Sequence, residues 1–118
     1  MKTKILLALF LAGVAALAVA QRPVACTAAD AGEHVGEIAT ITGTVNSVHQ
    51  AEKGNIFVNI GAKYTNQVFT AFIPSSSAAD FFNPQQYEGK TVAVSGKIEL
   101  YHGKPQIIVT NVSQIIIK

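Results

Sequence analysis

The sequence predicts a small all-β protein, a five-stranded barrel with one short helix before the first strand and another between the third and fourth. Two observations lead to this fold class. Apolar residues alternate with polar ones in several separate segments, which is the period of half-buried strands. Glycines also stand inside the two longest of these segments, where they allow a strand to coil enough to serve both halves of a closed barrel.

The first predicted elements are a short helix and a strand. Thr27 is followed three residues later by Asp30, the spacing of a capping box, so we expect a helix over residues 27–35. Residues 39–46 alternate small or apolar side chains with threonine and asparagine, which predicts a half-buried strand. Gly43 in the middle of this segment predicts a bulge or a sharp coil of the strand.

The remaining elements follow the same period of two. We expect strands at 56–60, 67–73, 91–101 and 105–110, a short helix at 78–82 and a final apolar β segment at 114–117. The clearest strand is the one at 91–101, whose one face carries Val92, Val94, Gly96, Ile98 and Leu100. This order is that of the OB-fold, which binds ligands on strands two and three and on the loops one–two and four–five.

The amino terminus has the order of a secretory signal peptide. Lys2 and Lys4 precede an uncharged apolar run of about fifteen residues, and Ala18 and Ala20 supply the small residues read by a signal peptidase. This run is shorter than the ~20 residues that a membrane-spanning helix needs. We therefore expect residues 1–20 to be removed on export, leaving a single domain at 21–118 with no membrane span, in the periplasm or outside the cell.

Removal of the signal changes the charge balance. The whole chain has nine Lys and Arg against seven Asp and Glu, but Lys2 and Lys4 leave with the signal. The expected mature chain therefore has seven basic and seven acidic residues and no net charge. Strong non-specific nucleic-acid binders carry a basic excess, so this balance argues against tight binding of a polyanion.

Cys26 is the single cysteine, so no disulfide forms within the chain. Val24 and Ala25 before it partly match a lipoprotein signal, although Pro23 stands where a leucine-like residue is expected. Lipid anchoring at Cys26 is thus the alternative to a small, partly buried thiol. The three histidines show no metal-ligand spacing, and no motif of a nucleophile, phosphate loop or carboxylate cluster is present. We expect no cofactor, no metal and no enzymatic activity.

The sequence also resembles a family of small secreted bacterial OB-fold domains, related to nucleic-acid-binding OB domains of the anticodon-binding type. The likeness covers about residues 33–117 and is carried by Val35–Glu37, Thr42–Val45, Asn66–Thr70, Tyr87–Val92, Val94–Ile98 and Tyr101–Ile107. These motifs are mostly structural, formed by strand, glycine and turn residues. The resemblance implies nucleic-acid binding, by analogy of fold.

Three aromatic side chains are candidates for a binding face. If Val58 faces the core, Phe57 points outward from the second strand, and the same alternation directs Phe72 outward from the third. Tyr101 leaves the fourth strand on the face opposite to Leu100. Outward rings at these places form a platform on which bases stack, whereas coverage by another segment or chain would make them packing residues.

Lys63, Lys97 and Lys104 are the candidate cations near the same rim, with ordinary solvated lysines as the alternative. The leading hypothesis is a secreted module that binds single-stranded nucleic acid weakly by stacking. The alternatives are a module that binds another protein, or an oligosaccharide, through the same face. Salt dependence separates these classes, because nucleic-acid affinity falls steeply with salt and an apolar protein contact does not.

Overall fold

The computed structural model describes residues 23–62 and 67–118. The predicted signal at 1–20 and the candidate Lys63 lie outside these residues. The elements are β1 (Val24–Thr27), 3₁₀ helix η1 (Ala28–His34), β2 (Ile38–Gln50), β3 (Ile56–Ile60), β4 (Phe69–Ile73), α1 (Ser75–Ala78), 3₁₀ helix η2 (Pro84–Tyr87), β5 (Thr91–Tyr101), β6 (Lys104–Ile108), 3₁₀ helix η3 (Val112–Gln114) and β7 (Ile115–Ile117).

Five strands close into a ring, which confirms the predicted OB-fold barrel. The ring runs β2–β3–β4–β6–β5 and closes through pairing of β5 with β2. All neighbours are antiparallel except β4 and β6, which are parallel. The short strands β1 and β7 add to the outside of this ring, β1 parallel to β2 and β7 antiparallel to β5.

The long strands β2 and β5 each serve both halves of the barrel. Residues 38–44 of β2 pair with β5, whereas residues 45–50 pair with β3. Gly43 lies near this change of partner, and a Cβ there would stand 2.5 Å from Cγ2 of Ile60. The predicted bulge exists but lies between Val45 and Ser47, where the register with β3 shifts.

The core is mainly aliphatic, with Phe69, Phe81 and Tyr87 as buried aromatic residues, and most of it comes from the inward faces predicted by alternation. Its largest fully buried side chains are Phe69, Ile41, Ile56, Ile60, Ile73, Ile98, Ile107, Val45, Val58, Val92, Val94 and Val109. Leu100 was expected on this face but is 56% exposed. It lies one residue from the end of β5 and pairs with Pro105 near the start of β6, so it extends past the buried layer.

The helices differ from prediction in type and position. The segment expected as a helix at 27–35 is the 3₁₀ helix η1, and Thr27 makes no side-chain cap to the backbone. Its Oγ1 instead donates to Oδ2 of Asp30 at 3.2 Å. The helix expected at 78–82 is a single turn that begins earlier, α1 at Ser75–Ala78, with Pro74 in an extended conformation at its N-cap.

Candidate functional site

An open groove of about 770 Å³ lies on the outer face of the β2–β3–β4 half of the barrel, beside the β5–β6 turn. Its lining residues are Ser47, His49, Phe57, Asn59, Gln67, Thr70, Tyr101, His102, Lys104, Pro105 and Gln106. None of them is acidic. The groove therefore combines aromatic rings, neutral hydrogen-bonding groups and a cation at the place where OB-folds bind their ligands.

One row of side chains across the sheet is aromatic. His49, Phe57 and Phe72 occupy directly paired positions on β2, β3 and β4, and we call them the aromatic row. The rings of His49 and Phe57 are stacked, with centroids 6.2 Å apart, and Phe57 meets Phe72 edge to face at 5.2 Å. Both phenylalanines are half-buried on the outer side of the barrel, the direction that alternation predicts.

The neighbouring row is polar and lies deeper. Ser47, Asn59 and Thr70 are paired in register across the same three strands, and we call them the polar row. Asn59 Nδ2 donates to Ser47 Oγ at 3.2 Å, and Thr70 Oγ1 donates to Asn59 Oδ1 at 3.4 Å. Asn59 is only 1% exposed, so these bonds compensate for its loss of hydration.

The groove also contains a buried amide oxygen. Gln67 lies just before β4, and its side-chain oxygen is buried with no hydrogen-bond partner among residues 23–62 and 67–118. A buried acceptor in this state carries a desolvation penalty that a donor on a ligand would remove.

The turn between β5 and β6 carries the second aromatic group. His102 and Gly103 both have positive φ, 50° and 77°, as a two-residue hairpin turn of the I′ type requires. The ring of Tyr101 meets that of His102 edge to face at 4.1 Å, and Tyr101 is 57% exposed. Lys104 begins the next strand directly opposite Tyr101.

The bulge in β2 determines which residues of that strand reach the groove. Val45 is buried, and strict alternation from it would turn Ser47 and His49 inward as well. The shifted register instead buries Val48 and leaves Ser47 and His49 on the outer face. The bulge thus supplies both rows with their β2 members.

The structure brings most of the predicted site residues together. Phe57, Tyr101 and Lys104 line the groove, and Phe72 contacts Phe57. Lys97 does not reach it: this exposed residue pairs with Ile38 at the start of β2, about 13 Å along β5 from Tyr101. Binding by these residues stays a prediction. Sequence reasoning missed Ser47, His49, Asn59, Gln67, Thr70, His102, Pro105 and Gln106.

Other chemistry finds little support within residues 23–62 and 67–118. No group of three or more His, Cys, Asp or Glu side chains is arranged to hold a metal ion there. Cys26 is half-buried against the core, and burial, together with the carboxylates of Asp30, Glu37 and Glu33, raises the pKa of its thiol. No described helix is both long and apolar enough to cross a membrane.

Comparisons with solved structures agree on the fold. The chain is similar to a protein described as an aspartyl-tRNA synthetase from Leishmania major Friedlin, with a TM-score of 0.55 and 13% identity over 80% of this chain. It is similar to asparaginyl-tRNA synthetase from Pyrococcus horikoshii, with a TM-score of 0.52 and 16% identity over 73% of this chain. The chain spans about a fifth of the length of each synthetase, 20% in both cases.

No protein-family model matches the sequence, and no curated protein matches it significantly. At these identities the likeness to the synthetases establishes the OB-like fold and nothing finer.

Proposed function

We propose that this domain is an exported, non-enzymatic module that binds single-stranded nucleic acid by stacking bases in the groove. The observation that carries the proposal is the aromatic row. It presents ring surface on the outside of a barrel, beside a groove whose described lining residues include no carboxylate. Tyr101 adds a ring from the β5–β6 turn.

Stacking energies favour weak binding that does not depend on the base sequence of the strand. Each base stacked on an aromatic side chain contributes about 1–3 kcal/mol, largely independent of its identity. Lys104 in the groove, and Lys63, which lies outside the described residues, are the cations we propose for backbone phosphates. The absence of net charge on the mature chain keeps the electrostatic contribution small.

The shared fold is consistent with this proposal. The synthetases with a similar fold are named for tRNA, and the sequence resembles anticodon-binding OB domains. One fold hosts many functions, so the argument depends on the groove.

Oligonucleotide binding by ring variants tests the proposal. Phe57→Ala, Phe72→Ala and Tyr101→Ala should each weaken binding of a single strand about five- to a hundredfold, whatever its base sequence. Phe82→Ala is the matched control: this ring is 89% exposed, and it does not line the groove. Melting curves of the same variants separate loss of a contact from loss of the fold.

If the unmodified protein binds no single strand under any salt condition, the proposal fails. Binding of glycans, or of a protein with little salt dependence, would then support the alternative interaction modules.

We also propose that export removes residues 1–20, leaving Gln21 at the amino terminus. The position of β1 supports this cleavage site. The strand begins at Val24 and pairs with β2 from Ala39 to Thr42. Cleavage before Cys26 would remove half of that strand, whereas cleavage after Ala20 leaves it complete. The intact mass of the exported protein should fit a chain starting at Gln21. A lipid-modified species starting at Cys26 would contradict this and place the protein at a membrane surface.

A further inference from the structure

Two of the three histidines of the chain line the groove. His49 lies on β2, and His102 lies in the turn between β5 and β6. Both are exposed. The third histidine, His34, lies away from the groove and forms an ion pair with Glu37 at 3.2 Å.

The surroundings of His49 and His102 favour an anionic ligand. Neither ring is paired with a carboxylate among the described residues, where His34 is the only histidine in an ion pair. Charged groups on the elements around them are Glu52 and Lys53 in the β2–β3 turn, Glu88 beside Val48, Glu99 on β5 and Lys104 on β6. Of these charged groups, only Lys104 lines the groove itself.

The backbone at His102 gives a second reason to assign this residue a role. Its φ of 50° belongs to a turn position for which asparagine or glycine is preferred. Histidine tolerates this conformation better than most residues, but still at some strain. The conformation directs its imidazole beside Tyr101, at the groove.

We infer that His49 and His102 bind backbone phosphates when protonated, so that nucleic-acid binding strengthens as the pH falls through the imidazole range. The inference rests on the proposed function. Imidazole ordinarily changes charge between about pH 5 and pH 8. Protonation of both rings raises the number of cationic side chains in the described groove lining from Lys104 alone to three.

The sign and size of the effect follow from the two added charges. Two exposed ion pairs strengthen binding about two- to thirtyfold in total. Each single-strand phosphate newly neutralised steepens the slope of log affinity against log salt by about 0.7, so two steepen it by about 1.4. Both changes should be present at about pH 5.5 and lost at about pH 8.

Oligothymidylate is the suitable probe, because thymine has no group that titrates in this range. Its affinity is measured at both pH values, across a series of salt concentrations, for the unmodified protein and three variants. His49→Phe keeps a ring over Phe57 without a charge, and His102→Asn suits the turn. The third variant combines both. His34→Gln is the control, since it removes a histidine outside the groove.

The unmodified protein and His34→Gln should bind more tightly, and with a steeper salt slope, at the lower pH. The double variant should show equal affinity and slope at both values, and each single variant should lose about half of the slope change. If the double variant does not fold, the single variants decide the result. Ring-dependent binding that is equal at both pH values, or pH dependence that is undiminished in both single variants, overturns the inference and leaves the proposed function standing. If the protein binds no oligothymidylate at pH 5.5 and none at pH 8, the inference and the proposed function both fail.

Discussion

The two halves of the barrel differ in what their outer faces carry, although β2 runs through both. In the half where residues 38–44 pair with β5, the outer face of residues 40–44 and their partners at 91–95 carries small side chains, most of them with hydroxyl groups. Thr40 pairs with Ser95 at 3.0 Å between oxygens, and Thr44 with Thr91 at 3.4 Å. These hydroxyls satisfy one another across the strands and leave little for a ligand.

The half that contains β3 and β4 has the opposite character. Its outer face carries the aromatic row, with the more deeply buried polar row beside it, and the side-chain oxygen of Gln67 has no hydrogen-bond partner within the described part of the chain. The inner faces of both halves are apolar. The fold therefore depends on both halves alike, whereas ring surface and unused hydrogen-bonding capacity are concentrated in one. This difference locates the candidate site better than fold class does.

The largest effect on stability is expected for a substitution in the core, which is apolar in both halves of the barrel. Val94 is fully buried and pairs with Ile41 and Ile115. Val94→Asp would bury a carboxylate without a partner and destabilise the protein by several kcal/mol, comparable to the stability of a small domain. Cooperative thermal unfolding should be lost. Thr91→Asp, on the outer face of the same strand, should unfold nearly as the unmodified protein does. An unchanged melting curve for Val94→Asp would mean that the faces of β5 are inverted.

An intermediate effect is expected in the polar row. Asn59→Ala leaves the hydroxyls of Ser47 and Thr70 without their partner in a buried setting, which should lower the free energy of unfolding by about 1–3 kcal/mol. For a domain of this size each kcal/mol corresponds to about 4–8 °C in melting temperature. Gln50→Ala, which truncates an exposed amide on β2, should change it little. Equal melting temperatures for both variants would show that the polar row contributes nothing to stability.

The smallest effect is expected on the hydroxyl-bearing face. Replacing both partners of the Thr40–Ser95 pair, as Thr40→Val with Ser95→Ala, removes a hydrogen bond without leaving an unpaired group. Stability should stay within about 0.5 kcal/mol of the unmodified protein, and oligonucleotide affinity should not change. A substantial loss of affinity in this variant would mean that the binding surface lies on the half of the barrel in which residues 38–44 pair with β5.

Much of the fold can be predicted from the alternation of apolar and polar residues along the strands. The bounds of β3 and β5 are predicted at both ends, because turn residues flank each apolar alternation. The four residues of β1 have no comparable pattern, and they form a strand through pairing with β2. Leu100 fits the alternation and is nevertheless exposed, since alternation gives the direction of a side chain but not the depth of the strand at that point.

The site is less predictable than the fold, for a related reason. Alternation identifies Phe57 and Phe72 as outward residues, but it does not give the register that sets Asn59 beside Thr70. His49 was missed because the bulge before it reverses the alternation. His102 was considered from the sequence only as a possible metal ligand, and the orientation of its ring depends on a backbone angle that the sequence does not specify.

The bulge between Val45 and Ser47 has a consequence for how such a groove can arise or disappear. It is an extra residue in β2, a change of chain length and not of side-chain chemistry. A chain that kept every residue of β2 but paired them without the bulge would turn Ser47 and His49 toward the core and Val48 toward the solvent. Deleting Asn46, the extra residue, would instead leave Val45 and Val48 inward and Ser47 and His49 outward. Related chains with a β2 one residue shorter should therefore keep both the barrel and the aromatic row.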